Sequence, residues 1–396
     1  MALAPSLLIG PDRNGRSVAI ADGLVVSAVP SDAARLPCAE GEIVSGAVCA
    51  HTHLYSGLAR YGMPPATPEP ENFLEILERA WWKLDRALDA ETLRASAQDY
   101  VARALLAGTT TLVDHHESPN LIEGSLEILA GVCEELGMRA LLCYGATERN
   151  FGVEEGQRGL AECRQIKPSP LLRGLVGLHA GFTVSDETIR AAGRLATELG
   201  TVMHVHVAED AADVADALAR GYPGPLERLE RLGALPRGSI LAHGVHLDSQ
   251  QTRHCEDLGC WLVHNPRSNE GNRIGYATNL GSSARVALGC DGWDADMATE
   301  QEALFRLAGS HGDRKAGNRL ERGHALIAER FGSHPEPLQP GALGDVVVKQ
   351  DGVVRHVVVH GRLVVADGKL LTGDFEPITA AAGQQATRLW KRMAEL

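Results

Sequence analysis

Short apolar runs alternate with polar-periodic stretches through the middle of this 396-residue chain. The runs TTTLVD, RALLCYGA, RGLVGLHA, TVMHVHVA, SILAHGV, CWLVHN and RVALGCD are each followed by helical spacing, as in Leu121 to Leu136 and Asp186 to Leu199. With the run that ends at His51 they make eight predicted strands. Strand–helix alternation predicts a parallel sheet, and eight units predict closure into a (β/α)8 TIM-type barrel. The runs are continuously apolar, as barrel strands covered by helices should be. An extra helix, NFLEILERAWWKLDRALD, is expected after the first strand. The Pro-rich MPPATPEPEN before it is expected to be a loop in a lid over the barrel mouth.

The two ends read differently. SVAIADGLVVSAV and EIVSGAVCA near the start, and GDVVVKQDGVVRHVVVHGRLVVADGKL near the end, are strand-rich, with turns at Asp351-Gly352 and Asp367-Gly368. Similar ends around a different middle predict a small β-sandwich domain built from residues 1–46 and 338–396, with the barrel over 47–337.

Polar residues punctuate the apolar runs at their ends. His51 and His53 stand two apart in CAHTHLYSG, so strand alternation turns both to one face. His204 and His206 repeat the spacing in MHVHVAED, His243 closes ILAH, and Asp291 closes VALGCD. Strand ends at one rim of a barrel can bring His51, His53, His206, His243 and Asp291 around a single cation such as Zn²⁺ or Fe²⁺. An aspartate ending an apolar strand is costly unless paired or bound to metal. Glu209, three residues past His206, is placed to shuttle a proton, although glutamate also suits a helix N-terminus. His204 can support a ligand, face substrate or simply fill the core. Asp114, His115 and His116 can hold substrate or be hydrated loop. Trp81 and Trp82 can form a stacking wall, against the commoner alternative of core packing.

Composition narrows the partners. A net charge of −13 without a Lys/Arg cluster excludes nucleic-acid binding through the phosphate backbone. No run is long and apolar enough to span a membrane, and MALAPSLLIG lacks the basic start of a signal peptide. The eight cysteines are scattered, without C-x-x-C pairs, which suits reduced packing residues in a cytoplasmic protein.

H-x-H, then H-x-x-E, then a strand-end His and a strand-end Asp resemble the amidohydrolase superfamily. HNPRSN, LHAGFTVS and LAHGVHLD look like its chlorohydrolase/aminohydrolase branch, which includes S-adenosylhomocysteine, guanine and triazine deaminases. HTHLYSGLARYGM, NFLEILERAWWKLDRALD, DHHESPNLIEGSLEIL and GCDGWDADM are similar to SsnA-type aminohydrolases over nearly the whole chain. The resemblance implies metal ligands His51, His53, His206 and Asp291, with Glu209 as proton shuttle. It places His243 beside the metal, where it orients the attacking water or polarises the scissile bond. It turns His179 and the loop from Asn265 to Asn269 toward substrate, and it implies a homodimer. The chain departs from the pattern at Ser45, at Glu270-Gly271, where the pocket could be altered, and in its short C-terminal β segment. No strand-end lysine is suited to carbamylation, so one metal is expected rather than two.

The resulting expectation is an aminohydrolase with one divalent ion, zinc in the first place and iron as the alternative. Metal-activated water would attack a C–N carbon of a purine-like heterocycle and release ammonia. Asp291, Glu209 and His243 would carry the reaction, and His179, Asn265, Asn269, Trp81 and His115 would contact the small-molecule substrate. A ring-opening hydrolase of cyclic amides or imides and a chlorohydrolase are alternatives on the same scaffold. A non-catalytic binding protein is a more distant one. A structural zinc site is disfavoured, because such sites prefer cysteine-rich sets.

Overall fold

Each of the eight apolar runs forms a strand in the computed structural model, which describes residues 6–396. In chain order the barrel strands are Ala47–Thr52, Thr109–His116, Arg139–Ala146, Val176–Ala180, Met203–Val207, Ile240–His243, Trp261–His264 and Val286–Leu288. Each pairs in parallel with the one before it. The first and last meet through a bridge between Thr52 and Asp291, and His51 O accepts from Cys290 N at 3.0 Å. Gly289 makes this closure possible, since a Cβ there would stand 2.8 Å from both His51 N and His51 O. The result is the expected (β/α)8 barrel.

The helices follow from their caps and apolar stripes. Asp186–Leu199 begins at Ser185, whose hydroxyl accepts from Thr188 N, and ends at Gly200 in the left-handed conformation. It buries Ile189, Ala192, Leu195 and Ala196 against the barrel. The helix after the first strand is broken into Phe73–Ile76, a π-helical turn over Leu77–Trp81, and Trp82–Ala87. A π turn re-aims the side chains that follow it and is frequent at functional sites.

A second, smaller β unit joins the chain ends. Leu7–Asp12, Val18–Ala21, Leu24–Val26 and Ala34–Cys38 form one sheet. Glu42–Ser45 crosses to a second sheet and pairs with Val346–Gln350, which continues through Val353–Val359, Arg362–Ala366 and Lys369–Leu370. Leu7, Ile9, Val18 and Ile20 of the first sheet pack with Ile43, Val346, Val348 and Val358 of the second. Residues 1–5 of the expected small domain lie outside the described residues. The chain ends in a helix, Phe375–Ala394, that packs along Ala90–Leu106 of the barrel layer. Trp390 Nε1 donates to Tyr61 O at 3.1 Å, and Arg392 Nε to Ala87 O at 2.6 Å.

One buried ion pair joins the barrel to the small unit. Arg139 is fully buried and grips Asp345 with two parallel bonds, Nε–Oδ2 at 2.6 Å and Nη2–Oδ1 at 2.9 Å. Removing one member strands the other charge in a dry interface, which costs about 3–5 kcal/mol. Arg139→Ala is therefore expected to lower unfolding free energy by about that amount in urea titration. A change below about 1 kcal/mol would show that Asp345 finds water instead.

All eight cysteines are free and buried, as their scattered spacing suggested. Among the described residues no helix is long and apolar enough to cross a membrane.

Candidate active site

Five donors converge at the C-terminal rim of the barrel strands. Asp291 Oδ1 lies 2.8 Å from His53 Nε2, 3.1 Å from His51 Nε2 and 4.0 Å from His243 Nε2. His206 Nε2 is 3.4 Å from His53 Nε2. Donor atoms of His51, His206, His243 and Asp291 lie within 4.8 Å of one another. The second Asp291 oxygen accepts the Ser268 hydroxyl. The backbone is bent to achieve this. His243 (φ 73°) and Asp291 (φ 55°) both adopt left-handed conformations that non-glycine residues rarely take. Such strain persists where surrounding structure enforces it, typically at functional sites.

The residues behind the histidines show what the cluster is built to hold. His206 Nδ1–H donates to His179 O, and His53 Nδ1–H donates to His115 O. His243 Nδ1–H donates to Asn269 Oδ1 at 2.9 Å. Neutral imidazoles anchored in this way present bare Nε2 lone pairs, and His243 Nε2 is buried without a hydrogen-bond partner. Lone pairs crowded beside a carboxylate repel unless a cation lies among them. Burial pulls His53 down, but the adjoining Asp291 outweighs it and raises its pKa to about 10. Burial draws His51 down to about 3 and His206 well below its ordinary value. Nitrogen and carboxylate donors with carbonyl-anchored outer nitrogens fit a divalent ion such as zinc.

Glu209 stands beside this cluster, with Oε1 3.6 Å from His243 Nε2. Burial first, and then the Asp291 charge, push its carboxyl well above the usual range. It lines a cavity of about 470 Å³, open mouth included, together with His53, His206 and Asp291. Tyr55, Phe73, Leu77, Trp81 and Trp82 supply apolar walls, and Glu117, His179 and Asn272 add polar groups. Phe73, Leu77, Trp81 and Trp82 of the broken helix line the cavity, and the Pro-rich stretch before it does not. A neighbouring hollow of about 1070 Å³ shares Trp81, Asn272 and Gly292 with this cavity.

Several expected substrate contacts sit elsewhere. His179 and Trp81 line the cavity. Asn265 and Asn269 do not; both are buried beneath His243, with Asn265 Nδ2 3.4 Å and Asn269 Oδ1 2.9 Å from its Nδ1. The short helix Pro266–Gly271 turns them inward and brings Asn272 to the cavity instead. His115 is likewise fully buried, with Nε2 donating to Leu178 O at 3.0 Å. Asp114 Oδ1 accepts from Leu54 N and fixes the chain after His53, and His116 Nε2 contacts Ser118 Oγ at 2.7 Å. His204 Nε2 lies 2.9 Å from His51 Nδ1, behind the cluster. Glu270 points away and pairs with Arg306. Sequence reasoning missed Glu117, one residue past the DHH run.

A barrel with a cation-holding rim and a carboxylate above it defines a hydrolase-type metal centre. Residues 43–364 match the amidohydrolase family, and the chain belongs to that family. It is 28% identical to a 5'-deoxyadenosine deaminase of Methanopyrus kandleri, over 88% of this chain and 86% of that one. It is also 28% identical to an 8-oxoguanine deaminase of Pseudomonas aeruginosa, over 67% of this chain and 63% of the relative. A zinc-bound adenosine deaminase structure from Xanthomonas campestris shares the fold, with TM-score 0.80 and 23% identity over 96% of this chain and 97% of the other.

Proposed function

We propose that this chain is a metal-dependent aminohydrolase acting on a flat nitrogen heterocycle of the purine type. The observation that carries this reading is the convergence of His51, His53, His206, His243 and Asp291 below a cavity that Glu209 also lines. We assign His51, His53, His206 and Asp291 as ligands of one divalent ion, zinc in preference to iron. Bound there, such an ion lowers the pKa of water and supplies a nucleophile at neutral pH.

The protein's own groups do the rest. Trp81, Trp82 and Phe73 form walls against which a flat ring can lie. Asp291 takes a proton from the attacking water. Glu209, whose carboxyl burial pushes well above the usual range, gives a proton to the ring nitrogen and then helps the amino group leave as ammonia. His243 stabilises charge developing at the attacked carbon, and Asn269 fixes its orientation. Water adds across the C–N bond, ammonia departs, and the product keeps oxygen in place of the amino group. The deaminases named among the relatives support this class of reaction.

Ammonia release across a panel of purines, pyrimidines and triazines tests the proposal. Ammonia from one compound, in equimolar yield with its loss, is expected. Consumption of a substrate without ammonia would replace deamination by ring opening or dechlorination.

A further inference from the structure

Glu117 is a cavity-lining carboxylate with no part in the chemistry above. It follows the second barrel strand, whereas Glu209 follows the fifth, so the two enter the mouth from well-separated parts of the eight-strand rim. Its side chain is 3% exposed. Tyr55 Oη donates to Oε2 at 3.1 Å. His115 Nδ1 lies 2.7 Å from Oε1, an ion-pair distance, and Oε1 is closed off from solvent against His115 and Gly145. A carboxylate oxygen offers roughly two acceptor positions, and the single bond from Tyr55 leaves Oε2 able to accept another. A buried carboxylate that lines the cavity with an acceptor position to spare suits a donor that arrives with the ligand.

The surroundings are built to keep that carboxylate in place. Gly145 on the third strand lies directly against it, and a Cβ there would stand 2.6 Å from Oε1 and 2.4 Å from His115 Cε1. Any larger residue would push Glu117 out of position. The nearby guanidinium of Arg149 is committed elsewhere, to Asp85 at 2.7 Å and to the face of Trp82 at 4.6 Å. No Lys or Arg lines the cavity, whereas Glu117, Glu209 and Asp291 all do.

We propose that Glu117 is a specificity-determining residue that accepts hydrogen bonds from an N–H edge, neutral or cationic, of the substrate heterocycle. This rests on the aminohydrolase reading and narrows its substrate class. The ring carries N–H or NH₂ groups on an edge other than the one attacked, and it carries no carboxylate or phosphate within the cavity. A ring whose nitrogens are fully alkylated leaves Glu117 unpaired and is rejected. Losing a hydrogen bond to a buried charged group lowers affinity by roughly tenfold to a hundredfold.

The test is calorimetric binding to the zinc-loaded full-length protein. The probes are 2,6-diaminopurine, 2,4-diaminopyrimidine and melamine, each against its fully N-methylated counterpart, with orotate as the anionic member. At least one N–H probe is expected to bind at least about tenfold more tightly than its methylated partner, and orotate not to bind. Glu117→Met, which keeps the volume and removes the acceptors, is expected to erase the preference with zinc content unchanged. Glu117→Gln, which retains one acceptor, serves if the Met variant fails to fold, and should show a reduced preference. The proposal is overturned if the variants keep the wild-type preference, if orotate binds as tightly as the N–H probes, or if no N–H probe binds at millimolar concentration. It is also overturned if the wild type holds two ions and Glu117→Met one, since Glu117 would then be a cation ligand with His53 and His115. Discrimination without ammonia release would sink the deaminase reading and leave the Glu117 assignment standing; ammonia release without discrimination would do the reverse.

Discussion

Glu209→Gln lowers kcat by about 10²- to 10⁴-fold, the usual contribution of a positioned acid–base group, and leaves metal content unchanged. Glutamine keeps the shape and the hydrogen-bonding reach but cannot carry the proton. The geometry separates this residue from the ion-holding set. Glu209 Oε1 is 3.6 Å from His243 Nε2, and Glu209 is not among the four residues whose donor atoms cluster most tightly. KM should move far less than kcat, because the proton transfer is needed in the transition state more than in binding. A Gln variant with wild-type kcat would remove Glu209 from the mechanism. One that lost its metal would place it in the ligand set instead.

Asp291→Ala abolishes turnover and loses most of the metal. Asp291 is the one carboxylate among the five converging donors, and its Oδ1 lies within 3.1 Å of two of the histidines. Its removal also takes the acceptor away from the Ser268 hydroxyl. Neutral imidazoles alone would remain, a set that offers the divalent ion no negative charge and holds it more weakly. Elemental analysis of the purified variant should show well under half the wild-type metal, with no turnover above background. His264→Ala is a useful contrast. His264 ends the seventh strand but bonds to Arg319 at 2.8 Å, so its loss should affect stability while metal content persists. Full metal content in Asp291→Ala would mean that the histidines alone hold the ion.

The legible and illegible parts of this chain divide along physical lines. The barrel could be read because each strand is an apolar run bounded by turn residues, and its donors because histidine and aspartate are conspicuous where an apolar run stops. His51, His53, His206, His243 and Asp291 all meet in the structure for that reason. The second strand gave no such guidance. All eight residues of Thr109–His116 are buried, so the pattern could not say which of Asp114, His115 and His116 faces the mouth. None of the three lines the cavity, and Glu117 beyond them does. Its position one step past the strand end, like that of His53, was the available signal. Asn265 and Asn269 were misplaced because a six-residue helix begins at Pro266, and its first turn folds them beneath His243. The resemblance turned this loop toward substrate, whereas the structure sets both side chains beneath His243. The terminal strands were visible as alternating runs, whereas the helix Phe375–Ala394 owes its position to contacts with Tyr61, Ala87 and Asp89 that lie far away in sequence.

Metal content of the purified full-length protein, measured by elemental analysis before and after chelation, is the most direct examination of the rim cluster. About one zinc or iron per chain should be found, as three-histidine-plus-carboxylate sites bind a single ion. Ammonia release should disappear with the ion and return when it is restored. A chain that is purified without metal, and takes up neither zinc nor iron when either is supplied, would refute the assignment of His51, His53, His206 and Asp291 and the hydrolytic function built on it.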